Sequence, residues 1–234
     1  MALVYIWDFD DTLVPWYLMK RSASNKWLFD AWFQLNRRIQ DELLKPILMA
    51  AMPGPEVDRA MAAEALWARA ESLSHFPPEA AAQITNCYRQ YQGFKETEQL
   101  RMQTNKLYDN WLEKSALVLH TASRSGNATH LLVTGAPLLP ALAKAMAFHM
   151  NARIAPGDIH SAHCALGSKR MIMASLVRSP RFAGAPFVAV GDGKPEREAA
   201  EAAGIPFVHI AGAGDLAKAL HVQTGCAPGC APGR

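Results

Sequence analysis

Residues 3–13 read Leu-Val-Tyr-Ile-Trp-Asp-Phe-Asp-Asp-Thr-Leu, and this stretch decides the fold. Its first five residues are apolar and rich in β-branched and aromatic side chains, which is typical of a strand buried on both faces of a parallel sheet. Asp8 and Asp10 follow at the carboxyl end, where an open α/β sheet places its chemistry. Alternate residues leaving a strand point the same way, so two carboxylates crowd one site. The stretch therefore predicts a site for a hard divalent cation, preferably Mg²⁺.

The same residues favour metal-assisted phosphoryl transfer, in which one aspartate attacks phosphorus and the other handles the proton. The alternative is an acidic turn after a strand, because Asp and Thr are also ordinary turn and capping residues. A second apolar strand, residues 187–190, runs into Gly191-Asp192-Gly193, and Pro195-Glu196 then opens a helix. This context supplies a third carboxylate and favours the metal site.

The length, composition and net charge of the chain limit its size class, its partners and its location. A chain of 234 residues, half of them hydrophobic, can bury one substantial core, or a core domain with a modest second one. The net charge of +3 comes from scattered Lys and Arg, so no direct contact with nucleic acid is expected. No apolar run approaches the ~18 residues of a membrane span. The first residues do not read as a secretory signal, and four scattered cysteines fit a reducing compartment. We therefore expect a cytoplasmic or nuclear location.

Residues 14–125 read as a helical insertion directly after the first strand. Apolar residues recur at helical spacing from Ser24 through Met49, and Pro53-Gly54-Pro55 then introduces a second helix that runs toward His75. A third helix is predicted over residues 80–91. After Gly93 a long apolar pattern predicts one further helix that returns to the sheet near Arg124.

The remainder of the chain alternates between strands and helices, which predicts an α/β fold with a parallel, doubly wound sheet. The predicted strands are 130–134, 154–161, 187–190 and 206–210, and the predicted helices are 137–150, 169–177, 195–203 and 215–221. Three parts follow: a core of residues 1–13 and 126–222, a helical cap of residues 14–125, and a Cys/Pro/Gly tail of residues 223–234 that is expected to be disordered.

Four ordered motifs resemble those of haloacid dehalogenase-type phosphatases: residues 7–13, the strand ending in Thr134, the helix start near Lys169, and Gly191-Asp192-Gly193. Within that superfamily, the chain looks like the catalytic domain of the eyes absent family. The segments that carry this closer resemblance are 131–134, 139–144, 158–162, 190–193 and 205–207, together with Trp111-Leu112. The resemblance covers nearly the whole chain except the last dozen residues. It implies a haloacid dehalogenase-like core with an inserted α-helical cap.

The resemblance also implies roles for individual residues. Asp8 would be the nucleophile that forms an aspartyl-phosphate, with its other oxygen on Mg²⁺. Asp10 would give the metal a backbone carbonyl and act through its side chain as general acid and base. Asp192 would be the remaining carboxylate on the metal. The supporting residues would be Thr134, which binds a phosphoryl oxygen, Lys169, which neutralises the phosphoryl charge, and Thr12 and Glu196, which lie behind the ligands, with Glu196 orienting a water molecule.

The implied activity is Mg²⁺-dependent dephosphorylation of phosphotyrosine in proteins. Gly135 and Ala136 stand where members of the family usually carry threonines, so phosphothreonine and small phosphate esters remain open as substrates. Eyes absent proteins also act as transcriptional cofactors, which makes a homeodomain-type transcription factor a possible partner and a binding role the alternative function. Lys144 lies inside an amphipathic helix and is interpreted as a solvated or packing lysine.

Residues 163–170 offer a competing mechanism, because His-Cys-Ala-Leu-Gly-Ser-Lys-Arg has the spacing of the phosphate cradle in cysteine-dependent tyrosine phosphatases. A Cys164 thiolate before a helix N-terminus, with Arg170 closing the loop, would be activated for attack. Met171 stands where that signature usually has Ser or Thr. Cys226 and Cys230 lack a second pair of ligands, so no zinc site is expected.

Overall fold

The computed structural model describes residues 2–124, 128–163 and 168–222, and it contains a five-stranded parallel sheet. Its strands are β1 (Val4–Trp7), β2 (Thr129–Thr134), β3 (Ile159–Ser161), β4 (Phe187–Gly191) and β5 (Phe207–His209). They lie in the order β3-β2-β1-β4-β5, and every neighbouring pair is parallel. The predicted α/β class and parallel sheet are confirmed.

Strand β1 is central, because it pairs with β2 on one side and with β4 on the other. Trp7 lies opposite Leu132 of β2 and opposite Val190 of β4. This register brings the carboxyl ends of the three middle strands to one edge of the sheet, so that the residues after each strand meet there.

In the described part of the chain, seven α-helices lie between β1 and β2, and three more connect the later strands. The first seven are α1 (Trp16–Arg21), α2 (Lys26–Ile39), α3 (Lys45–Ala50), α4 (Glu56–Arg69), α5 (Pro78–Gln90), α6 (Thr97–Leu107) and α7 (Trp111–Arg124). The later ones are α8 (Leu138–Ala147), α9 (Lys169–Arg178) and α10 (Lys194–Ala203). A π-helical turn, Gln40–Leu44, joins α2 to α3, and the short helix α1 was not predicted from the sequence.

The side chains of β1 alternate between two hydrophobic clusters, one on each face of the sheet. Tyr5 and Trp7 belong to a large cluster with the inserted helices and α8, whereas Val4 and Ile6 pack with α9 and α10. All four residues of β1 are buried, although their side chains point to opposite faces of the sheet. This is why the sequence of β1 is a continuous apolar run.

The single long helix predicted after Gly93 is wrong, because two helices, α6 and α7, occupy that stretch. Asp109 and Asn110 separate them in the left-handed region, with φ of 50° and 54°. Asp and Asn tolerate this conformation better than other non-glycine residues, so the chain can turn between the two helices at this point.

Two later elements also differ from the prediction. Strand β3 begins at Ile159 rather than 154, because Pro156 lies in a 3₁₀ turn, Pro156–Asp158, and proline cannot donate to a ladder. The last predicted helix is a 3₁₀ helix over Ala213–His221. Among the helices of the described residues, none combines the length and apolar character that crossing a bilayer requires.

The large hydrophobic cluster runs without interruption from the inserted helices to the sheet. Trp32 of α2 lies with its ring 4.2 Å from that of Phe148, which follows α8. The division into a core and a helical cap stays a prediction, and the tail, residues 223–234, lies outside the described residues.

Candidate active site

Asp8 is buried at the edge where β1 ends. Its backbone N–H donates to the carbonyl of Val190 at 2.8 Å, which extends the ladder one residue beyond the strand. The Thr12 hydroxyl donates to Oδ2 of Asp8 at 3.3 Å. Thr12 therefore contacts the predicted nucleophile directly, and the remaining carboxylate oxygen, Oδ1, faces Lys169.

Helix α7 holds the loop that carries these residues. The Trp111 indole N–H donates to the carbonyl of Thr12 at 2.9 Å, and the Ser115 hydroxyl donates to the carbonyl of Leu13 at 2.8 Å. Both bonds are buried, where an unpaired carbonyl would be costly. The position of Asp8 and Thr12 thus depends on a helix about 100 residues later in the chain.

Asp11 is a residue whose role the sequence reasoning missed. Its φ is 56°, which turns the chain away from the sheet. Its Oδ1 accepts from the backbone N–H groups of Tyr17 and Leu18 at 2.8 and 3.0 Å, so it caps the first turn of α1. Arg21 also contacts its Oδ2 at 3.0 Å. The sequence did hold a signal for this role: an aspartate that comes shortly before a proline and an apolar segment is typical of a helix start.

Lys169 is the first residue of α9 and joins two predicted site residues. Its ammonium contacts Oδ1 of Asp8 and Oε1 of Glu196. Ser168 caps the helix by accepting from the N–H of Met171 at 3.3 Å, which fixes where the lysine side chain starts. Glu196, predicted to orient a water molecule, is paired with this lysine.

The glycines around Asp192 make room for Glu196. A Cβ added at Gly191 would lie 2.6 Å from Cγ of Glu196, and one added at Gly193 would lie 2.6 Å from its Oε2. Both distances are closer than real contacts of a Cβ atom. The Gly-Asp-Gly pattern is therefore required by close packing of the glutamate, not by backbone conformation.

Burial and mutual proximity shift the pKa values of the site carboxyls upward. Burial raises the pKa of Asp8 to about 7; Glu196 and Asp10 add to this rise, and Lys169 opposes it. Burial and then Glu196 likewise raise the pKa of Asp192. Burial alone would lower the pKa of Lys169, but Asp8 and Glu196 outweigh it and raise that pKa. The site therefore holds more buried negative charge than its lysine balances.

Thr134, the last residue of β2, is buried and lines the same pocket. Its hydroxyl oxygen accepts from the N–H of Ala136 at 3.1 Å. This bond is compatible with the predicted contact to a phosphoryl oxygen, because a hydroxyl that accepts from the backbone can still donate its own hydrogen to a ligand.

Lys144 is neither solvated nor a simple packing residue. It is 4% exposed, and its ammonium lies 2.5 Å from Oδ1 of Asp10. The signal was present in the sequence, because Lys144 is the lone charged residue of α8 and every neighbour along that helix from 141 to 147 is buried. A charge inside an apolar helix requires a partner.

The predicted residues come together in one open pocket of about 1090 Å³. Six of the predicted residues line it, and Thr12 adjoins it through Asp8. The six are Asp8, Asp10, Thr134, Lys169, Asp192 and Glu196. Tyr17, Arg21 and Arg170, none of which was predicted to contact substrate in the phosphatase reading, also line the pocket.

The donor set fits a hard cation. Asp8 and Asp192 follow adjacent strands, and both line the pocket. Among the described residues, no three His, Cys, Asp or Glu side chains form a metal-holding group. The predicted site needs only two carboxylates, because its third ligand is the backbone carbonyl of Asp10. Oxygen donors alone suit Mg²⁺ rather than a soft metal.

The competing thiol mechanism rests on residues that are not described. Cys164 belongs to the segment 164–167 that lies outside the described residues, as do Cys226 and Cys230. Arg170, which would close the thiol loop, lines the pocket near Lys169.

Comparison with known proteins agrees with the resemblance that the motifs carry. No protein-family model matches the chain. Curated relatives include the protein phosphatase eya of Drosophila melanogaster, 32% identical over 123 residues, and the human protein phosphatases EYA2 and EYA1, each 31% identical over 123 residues. The match covers 53% of this chain and 16%, 22% and 20% of those relatives, respectively.

This chain therefore spans about a fifth or less of the length of the relatives it matches. The parallel five-stranded sheet and the order of the motifs around it agree with a haloacid dehalogenase-like fold. Over about half its length, the chain is thus similar in sequence to the eyes absent protein phosphatases.

Proposed function

We propose that the chain is a Mg²⁺-dependent protein tyrosine phosphatase of the eyes absent type, with Asp8 as the nucleophile. One observation supports this most directly: Asp8 is buried at the end of the central strand, with Lys169 on one oxygen and Thr12 on the other. A carboxylate held on both sides at the floor of an open pocket is oriented for attack on a phosphoryl group.

The reaction has two steps: transfer of the phosphoryl group to Asp8, and hydrolysis of the aspartyl-phosphate. An Asp8 oxygen attacks phosphorus, the bond from phosphorus to the tyrosine oxygen breaks, and Asp10 gives a proton to the departing phenol, whose pKa is about 10. Water then attacks phosphorus and gives a proton to Asp10 while the bond from phosphorus to the Asp8 oxygen breaks. This step releases phosphate and restores the Asp8 carboxylate. Throughout, Lys169 lies where it neutralises charge on the phosphoryl oxygens.

Mg²⁺ would be held by the carboxylates of Asp8 and Asp192 and the backbone carbonyl of Asp10. When bound, it supplies positive charge that favours the ionised carboxylates and offsets the charge of the phosphoryl group. The pairing of Glu196 with Lys169 keeps the lysine ammonium directed at Asp8.

The pocket wall favours an aromatic phosphate ester. Tyr17, a residue that is 45% exposed, lines the pocket together with the aspartates, and an aromatic ring in the pocket wall can pack against a phenol. Tyrosine specificity over threonine or small esters is part of the proposal, and a direct comparison of the three phosphopeptide and ester substrates tests it.

The decisive experiment measures hydrolysis of a phosphotyrosine peptide by wild type, Asp8→Asn and Cys164→Ser, each with Mg²⁺ and with chelator. We expect Asp8→Asn to lose about 1,000-fold or more, Cys164→Ser to stay active, and chelator to abolish the wild-type rate. Asp30→Asn, which changes an exposed carboxylate paired with Lys26, is the matched control and should stay active.

If the wild-type rate is unchanged by chelator and Cys164→Ser is inactive, the thiol mechanism replaces this one. A homeodomain-type partner, a purely binding role and a cytoplasmic or nuclear location stay predictions. Retention of a DNA-binding partner by Asp8→Asn in a pull-down would show that binding and catalysis separate.

A further inference from the structure

The ammonium of Lys144 is enclosed beside the predicted acid–base residue. Its Nζ lies 2.5 Å from Oδ1 of Asp10, and the two side chains are 5% and 12% exposed. It also lies 4.6 Å from the ring centroid of Trp16 and 5.1 Å from that of Phe9. Aromatic faces attract a cation, so the ammonium is held by charge on one side and by rings on the others.

This arrangement is costly if it serves packing alone. Burying an ammonium requires a partner with good geometry, and replacing a buried ion pair with apolar residues of similar volume is often neutral or stabilising. A methionine at residue 144 would fill the same space in a helix that is otherwise apolar. Packing alone therefore does not account for the ion pair of Lys144 and Asp10. Because Asp10 lines the pocket, we look for the role of the pair there.

The direction of α8 explains why the side chain of Lys144 reaches Asp10. This helix begins just after β2, so its first turn lies at the edge of the sheet where β1 and β2 end. Helical side chains lean toward the N-terminus of their helix. A long side chain at residue 144 therefore reaches back toward that edge, where Asp10 lies.

We infer that Lys144 is a positioning residue, which holds one oxygen of Asp10 so that the other oxygen is directed at the leaving group in the pocket. This inference rests on the proposed phosphatase function. Proton transfer needs the donor within about 2.6–3.2 Å of the leaving oxygen, and a misplacement of about 1 Å can cost about 100-fold. Lys144 acts on the reaction only through Asp10.

Leaving groups of different basicity test this role. Phenyl phosphate needs a proton on its departing oxygen, whereas 4-nitrophenyl phosphate departs readily without one. We expect Lys144→Met to lose about 10- to 100-fold in kcat/KM on phenyl phosphate and less than about threefold on 4-nitrophenyl phosphate. The measured quantity is kcat/KM because it reports the first step, whereas the second step, in which Asp10 accepts the proton of water, is common to both substrates. Lys144→Arg should recover part of the loss on phenyl phosphate, because its guanidinium still donates to Asp10.

Two comparisons separate positioning from a structural effect. In an Asp10→Asn background, Lys144→Met should cause no further selective loss, because its target is already gone. Lys114→Met, which removes an exposed lysine paired with Asp109, should behave as wild type on both substrates. If Lys144→Met does not fold, Lys144→Gln replaces it and should show the same selective loss at a smaller size.

Equal losses in kcat/KM on the two substrates, or a further selective loss in the Asp10→Asn background, would overturn the positioning role while leaving the phosphatase intact. No hydrolysis of either substrate by the wild-type protein would instead overturn the proposed function, and this inference with it.

Discussion

His130 of β2 is held as a neutral imidazole by its hydrogen bonds. The indole N–H of Trp7 donates to its Nδ1 at 3.0 Å, so Nδ1 carries no hydrogen. Its Nε2 lies 3.0 Å from the Ser123 hydroxyl, whose own hydrogen goes to the carbonyl of Leu119 at 2.8 Å. A proton on Nδ1 would therefore oppose the N–H of Trp7. Burial, above all, lowers the pKa of His130 to about 4.

This histidine predicts a loss of stability in mild acid. Between its unfolded pKa of about 6.5 and its folded pKa of about 4, the unfolded chain binds a proton that the folded chain does not, so stability falls as the pH falls. Across that window, the loss is about 3 kcal/mol in the free energy of unfolding. Urea unfolding of wild type and His130→Gln between pH 7 and pH 4 measures it.

Gln is a suitable replacement, because its amide accepts and donates but does not titrate in this range. The gap in stability between the two proteins should therefore narrow as the pH falls. Parallel pH profiles would show that His130 contributes nothing to acid sensitivity.

At the scale of elements, the start of α7 depends on a side chain from the preceding helix. Oδ1 of Asn105 accepts from the N–H groups of Leu112 and Glu113 at 3.0 and 3.4 Å. These are among the N–H groups that a helix cannot satisfy itself. The contact also explains the break between α6 and α7, because a continuous helix would satisfy those N–H groups internally.

Asn105→Ala should therefore destabilise the protein by about 1–2 kcal/mol, since it leaves two N–H groups without their acceptor. Asn105→Asp keeps an acceptor and adds negative charge near a helix N-terminus, so its stability should stay near that of wild type. The midpoints of urea unfolding of wild type, Asn105→Ala and Asn105→Asp measure these differences in stability. Lys106→Ala, at the exposed neighbour, is the control; an equal loss there would contradict the capping role.

The elements also show how far the sequence was informative. Periodicity identified the strands of the sheet and most helices, because burial on one or both faces leaves a pattern in the residues themselves. Short α1 and the break at Asp109-Asn110 leave little such pattern, since both depend on hydrogen bonds from side chains elsewhere. The pairing of Lys144 with Asp10 likewise depends on the packing of α8 against the sheet, which no local pattern records.

At the scale of the whole molecule, Phe148 connects the inserted helices to the end of α8. Its ring lies 4.2 Å from that of Trp32 and 6.2 Å from that of Trp16, and all three side chains belong to the large hydrophobic cluster. A single cluster across both parts of the chain favours one cooperative unfolding transition.

Phe148→Ala should lower the free energy of unfolding by about 3–5 kcal/mol, because it opens a cavity where the two parts meet. Tryptophan fluorescence and far-UV circular dichroism, recorded on the same urea series, should give coincident transitions for wild type and variant. Two separate transitions would mean that the predicted cap and core unfold as independent domains.

The candidate site was predictable at this scale because parallel strands gather their carboxyl ends at one edge. Asp8 and Asp192 follow β1 and β4, so the sheet alone brings them together. The balance of charge among them was not predictable, since it depends on how deeply each carboxyl is buried and on the lysine between Asp8 and Glu196.

The central position of β1 has a consequence for biosynthesis. Val4 pairs with Thr129 and with Phe187, so β1 leaves the ribosome before both of its neighbours and waits for them until residue 187 has been made. During that time its apolar residues have no ladder partners, and unpaired strands of this kind favour aggregation. Contacts so distant along the chain also slow folding. The strand that leads to the proposed nucleophile is thus made before its partners and completed only after them, so the speed of translation and chaperone binding to nascent chains should affect the yield of active protein.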